Sequence, residues 1–154
     1  LLLSVNGEVS ELLMLEDARV VGHATAPVGL GTVLRTLKSH AGYSLEEARS
    51  AMRLDHTSEA NLAAAAHFAG EFKQAAHELF GGQANGNVFV LSHEPSPEWF
   101  ARSLSHRSLA DLFPQGGTVR AMRPGHLAPF VAHHGTPDTH LLLDALYTSA
   151  AHTY

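Results

Sequence analysis

The chain has 154 residues, of which 45 % are hydrophobic, with no cysteine and a formal net charge of −5 with histidine neutral. That length and apolar fraction suit one domain core, and the ten Lys and Arg residues are scattered singly, which leaves no basic stripe for nucleic acid. The lack of cysteine removes disulfide frameworks, thiolate zinc sites and cysteine nucleophiles together and fits cytoplasmic residence.

The opening Leu1-Leu2-Leu3 is too short for a signal sequence and lacks a basic flank, so it reads as a buried strand and implies no direct membrane insertion. A chain that opens on a strand, and not on methionine, is expected to be part of a longer protein. Asn6-Gly7 ends this run and predicts a tight hairpin turn into a second strand over residues 9–15. Glu16-Asp17-Ala18 then turns into a third β-rich stretch over residues 19–26, giving a three-stranded antiparallel meander.

Pro27 closes that strand, and Val28-Gly29-Leu30-Gly31 opens a helix whose buried side is Val33, Leu34 and Leu37, up to about His40. Ser44 with Glu47 forms a capping-box pattern for a short helix to about Leu54. Thr57 or Ser58 caps a long helix with Leu62, Ala65, Ala66, Phe68, Ala69, Phe72, Ala76, Leu79 and Phe80 on its apolar face, ending at Gly81-Gly82. Val88-Phe89-Val90-Leu91 reads as a strand buried on both faces, and Pro97 starts a helix that buries Trp99, Phe100 and Leu104. A strand over residues 118–122 and helices over residues 127–133 and 139–151 complete the order. The expected fold is one α/β domain over residues 1–154: a mixed sheet that begins as an antiparallel meander, with helices on both faces.

That element order and the local sequence resemble the second lobe of the actin, Hsp70 and sugar-kinase superfamily, most nearly its FtsA and PilM branch. In that family the lobe opens on a hairpin of the form Asp-Ile-Gly-Gly-x-Thr-x-Glu, and the matching stretch here runs Leu3-Ser4-Val5-Asn6-Gly7-Glu8-Val9-Ser10-Glu11-Leu12. Glu16-Asp17-Ala18, Ala26-Pro27-Val28-Gly29 and Ser44-Leu45-Glu46-Glu47-Ala48 resemble three further family segments. The likeness is good to about residue 92 and holds beyond that by element order alone. The family's inserted subdomain is missing near residues 55–57.

The resemblance implies a ribonuclease H-like, actin-like ATPase lobe and gives Ser4, Asn6, Gly7, Ser10 and Ser92 as candidate phosphate-binding residues, and Gly29 and Gly31, at a helix N-terminus, add backbone N–H donors for an anion. The family's metal-positioning Asp falls on Ser4, its first phosphate glycine on Asn6 and its threonine on Ser10. A neutral hydroxyl does not replace a carboxylate in holding hydrated Mg²⁺. The second nucleotide loop falls on Ser92-His93-Glu94-Pro95-Ser96, which has no glycine. These departures point to a degenerate lobe that serves as a protein interaction scaffold. The implied partners are the N-terminal lobe of the same protein and membrane-associated cell-division or pilus machinery, at the inner membrane face.

A second reading keeps ATP and Mg²⁺ as ligands of the complete protein, with the carboxylate supplied by the other lobe or by Glu8 or Glu11. A third takes His133, His134 and His140 as metal ligands, although adjacent histidines do not share a helix face. No Gly-x-Ser-x-Gly elbow supports serine hydrolase chemistry. Trp99, at the start of its helix, is expected in the core.

Overall fold

β-prone runs separated by turns produce the predicted meander at the start of the chain: Leu2–Val5 is β1, Ser10–Glu16 is β2 and Arg19–Ala26 is β3, each antiparallel to the next. This computed structural model describes residues 1–16, 19–81, 86–92, 97–104, 112–113 and 117–123. The chain divides into two compact units, Leu1–Ala121 and Met122–Tyr154. Nearly all of the second unit lies outside the described residues, and with it lie the helices expected over residues 127–133 and 139–151.

Two features of the meander differ from the sequence expectation. Four residues, 6–9, join β1 to β2, where Asn6-Gly7 suggested a two-residue turn. The Asn6 N–H donates to the Val9 carbonyl at 3.0 Å, and Gly7 is absent from the left-handed conformation that a type I′ turn demands. Val9 therefore belongs to the turn and not to the strand. In the β2–β3 ladder the register shifts between Met14 and Leu15: Met14 faces Gly22 while Leu15 faces Val20, which leaves Val21 as the extra residue of a β-bulge.

The helices follow from their caps. Leu30–Ala41 (α1) buries Val33, Leu34 and Leu37 and stops at Gly42, where φ is 69°. Leu45–Leu54 (α2) starts with the complete capping box: the Ser44 hydroxyl accepts from the Glu47 N–H, and the Glu47 carboxylate accepts from the Ser44 N–H. Glu59–Phe80 (α3) is capped by Ser58 and ends at Gly81 in the left-handed conformation.

Its buried side holds Ala60, Asn61, Ala64, Phe68, Ala69, Phe72, Ala75 and Ala76. Leu62 and Ala66, expected on that side, face outward, with Leu62 56 % exposed. The helix is apolar around more of its circumference than the core uses, and Asn61 takes the inward position beside Leu62.

Val88–Ser92 (β4) then lies parallel to β1, Pro97–Leu104 is α4, and Val119–Ala121 (β5) lies parallel to β4. The strand order is β3-β2-β1-β4-β5. Leu3, Val5, Leu12, Ala26, Val88 and Val90 share one face of the sheet and join Val33, Leu37, Met52, Phe68, Phe72, Phe100 and Leu104 in a single core. All four helices contribute to that layer. Burying each large side chain contributes about 1.5–3 kcal/mol. Trp99 is in the core as expected, 3 % exposed, edge-on to Phe100 with ring centroids 5.1 Å apart.

Asn61 closes the only place where three helices meet around a buried amide among the described residues. Its Nδ2 donates to the carbonyls of Asp55 at 2.6 Å and Ala51 at 3.3 Å, and its Oδ1 accepts from Trp99 Nε1 at 2.9 Å. One side chain thereby satisfies the last turn of α2 and the indole of α4. Removing it strands both groups in the core. Asn61→Ala is expected to destabilise the fold by about 2–3 kcal/mol, read as a lower urea midpoint, and Asn61→Leu is expected to restore little of that loss.

Candidate nucleotide site at the ends of β1 and β4

β1 and β4 run parallel and finish side by side, with Val5 opposite Ser92, while on its other flank β1 turns back into β2. Connections that leave a sheet in opposite directions open a crevice beyond the strand ends, where α/β proteins commonly bind ligands. The sequence candidates gather around this crevice.

Five of them form one tight cluster. The N–H groups of Leu30 and Gly31, at the start of α1, donate to the carbonyls of Asn6 at 2.9 Å and Gly7 at 2.6 Å. The fully buried Ser10 gives its hydroxyl proton to the Val28 carbonyl at 2.6 Å. The Gly31 amide that the sequence offered for an anion is thus directed, with that of Leu30, at the hairpin turn, and the positive end of the helix faces peptide carbonyls. Among the described residues the Gly7 and Glu8 amides at the tip have no acceptor, so the turn itself keeps two donors.

Glycine at position 29 follows from this docking. A Cβ there would stand 2.6 Å from the Asn6 carbonyl oxygen and 2.7 Å from that of Gly7. Position 31 is similarly crowded by the Glu8 carboxylate and the Gly7 carbonyl, the latter at 3.0 Å.

Glu8 leaves the turn toward α1 and makes a two-pronged ion pair with Arg35, Nη1 to Oε1 at 2.9 Å and Nη2 to Oε2 at 2.6 Å. The guanidinium hydrogen bonds hold the Glu8 carboxyl below its ordinary range and raise Arg35 in return. Both side chains are largely exposed, so the pair orients the turn more than it stabilises it. Arg35 carries no signal in the sequence, since only the fold brings it to Glu8.

Ser4 and Ser92 lie on different faces of the sheet. Side chains alternate along a strand, so Ser4 points away from the core face that Val5, Ser10 and Ser92 share. Its neighbours across the ladders are Glu11 on β2 and Leu91 on β4. A carboxylate therefore stands one strand away from the position where the resemblance calls for one, at a side-chain separation of about 4.5–5.5 Å for such pairs. Ser92 is buried, and its hydroxyl oxygen has no hydrogen-bond partner among the described residues. Residues 93–96 of the second expected loop lie outside the described residues, as do His133, His134 and His140.

No family model matches the chain, and no curated protein does. Among solved structures it is similar to the crystal structure of ethanolamine utilization protein EutJ from Carboxydothermus hydrogenoformans, with a TM-score of 0.53 at 16 % identity. That likeness covers 78 % of this chain and 42 % of the EutJ chain, so the chain spans less than half of that relative's length. The five-stranded mixed sheet with its helices is an actin-like ATPase lobe fold.

Gly29→Ala is expected to destabilise the protein by about 1–3 kcal/mol through overpacking, because backbone atoms, and not a flexible side chain, crowd the new methyl group. Amide hydrogen exchange should show the loss concentrated at Leu30 and Gly31.

Proposed function

We propose that the chain is a degenerate actin-like lobe that works as a protein interaction scaffold within a longer protein. The observation that carries this reading is that the α1 amides bind the turn's own carbonyls, beside a Ser4 that falls, by the resemblance, where the family carries its carboxylate. A lobe without its metal-positioning acid keeps the sheet and helices that hold partners in place while losing the groups that orient a hydrated Mg²⁺ and an attacking water.

The resemblance to FtsA and PilM favours membrane-associated division or pilus machinery as the partner. The name of the EutJ neighbour raises ethanolamine utilization as the competing setting. In either setting the work is done in the cytoplasm. Among the described residues no helix is long and apolar enough to cross a membrane, and this reading has a membrane location reached through partners. Isothermal titration of ATP with Mg²⁺ into the full-length protein tests the scaffold reading: no heat of binding in the micromolar range is expected, and micromolar binding with turnover overturns it.

Glu11 supports a second reading, a working ATPase half. It is directly across the ladder from Ser4, and the turn's Gly7 and Glu8 amides remain as donors for a phosphate. Glu8 itself is engaged by Arg35, which makes Glu11 the better acid. On this reading Glu11→Ala abolishes Mg²⁺-dependent hydrolysis in the full-length protein, while Glu8→Ala lowers it less. Equal rates for wild type and Glu11→Ala discard it.

A further inference from the structure

A groove of about 630 Å³ runs along the outer side of α3 against α4, and none of its residues belongs to the crevice at the ends of β1 and β4. Its size is that of a small-molecule site. The floor is made by Ala65, Ala66, Ala69 and Gly70, with the outward-facing Leu62 on one side and the Trp99 indole below. Short side chains over two helical turns create the hollow, because a larger residue at position 66 or 70 would fill it.

The polar groups around the floor are of two kinds. Asn61 and Ser103 are already satisfied inside the protein: the Asn61 amide is fully engaged, and the Ser103 hydroxyl donates to the Trp99 carbonyl at 2.9 Å. Lys73 also lines the groove and has a partner of its own, which leaves Arg102 and His56. Among the described residues no carboxylate lines the groove. His56 Nδ1 is buried and has no hydrogen-bond partner among the described residues. Burial and the neighbouring Arg102 hold this imidazole below its ordinary range, against smaller opposing effects of Asp55 and of a hydrogen bond with the Arg53 backbone. At neutral pH it is therefore an uncharged group with an unmet hydrogen-bonding atom beside a guanidinium.

An apolar floor bordered by a guanidinium and a neutral imidazole selects one chemistry. We propose that this groove binds a small amphipathic anion, an acyl or aryl chain ending in a carboxylate, sulfonate or phosphate, with the chain on Ala66, Ala69 and Trp99 and the anion on Arg102 and His56. A neutral apolar molecule would leave Arg102 unused. An acidic metabolite without an apolar part would leave the floor wet.

Trp99 is the only tryptophan of the chain, so it reports directly on occupancy. Titration with 8-anilinonaphthalene-1-sulfonate, followed by energy transfer from Trp99, is expected to saturate at one site. Decanoate should displace the dye at concentrations about tenfold below those at which decanol does. Ala66→Phe, which fills the hollow, and Arg102→Glu, which reverses the charge, change exposed positions. Each is expected to weaken dye binding about tenfold or more while far-UV circular dichroism and the thermal transition stay as in wild type. Equal displacement by decanol and decanoate, or dye binding unchanged in both variants, overturns the proposal. Displacement of the dye by an acidic helical peptide but not by decanoate would reassign the groove to a protein partner and overturn it as well.

Discussion

Two peptide amides at the start of α1 and two carbonyls in the first hairpin turn hold each other, and the placement of everything around the crevice depends on that exchange. The bonds from Leu30 and Gly31 to Asn6 and Gly7 fix the helix against the strand ends. The buried Ser10 hydroxyl bonded to Val28 fastens the segment between them. An amide has one proton. Each one given to a carbonyl is withheld from an anion, so the contact that orders this part of the fold also narrows what the crevice can bind. Gly29 is required because the backbones approach within a methyl group's radius.

The crevice carries its acids beside the position where the resemblance puts one. A carboxylate in the middle of β1 would lie among the donors expected around a nucleotide; serine there is neutral. The nearest acids sit on the turn and on β2, where Glu8 is engaged by a guanidinium and Glu11 is exposed beside Ser4. The buried Ser92 hydroxyl on the core side of the sheet, without a partner among the described residues, is a polar atom whose presence packing alone does not explain.

Local chemistry made much of the fold readable in advance. Ser44 and Glu47 meet three residues apart, Gly81 follows directly on the last turn of α3, and the continuous apolar run of β4 carries its own burial, so each was visible in a short window of sequence. The misreadings arose where distant segments decide the outcome. The length of the first turn depends on α1, and the bulge at Val21 depends on the β2–β3 register. The outward turn of Leu62 follows from Asn61, which the Trp99 indole, 38 residues further on, draws into the core. The candidate site was legible as a set of positions, five of which do cluster. The partners that occupy Gly31 N–H and the Ser10 hydroxyl were not, because carbonyl acceptors have no residue-type signature. Arg35 and the α3–α4 groove were invisible for the same reason.

The extra residue at Val21 also bears on how the molecule behaves among its own copies. β3 is the outer strand of the sheet among the described residues, and Leu15, Val20 and Val21 expose apolar surface near its first end. A flat strand of that character invites another chain to add on, the usual route to ordered aggregates. The bulge coils the strand there and breaks the even row of amides and carbonyls that a newcomer would need, so the stickiest stretch of the margin is also the part that offers the poorest template for growth.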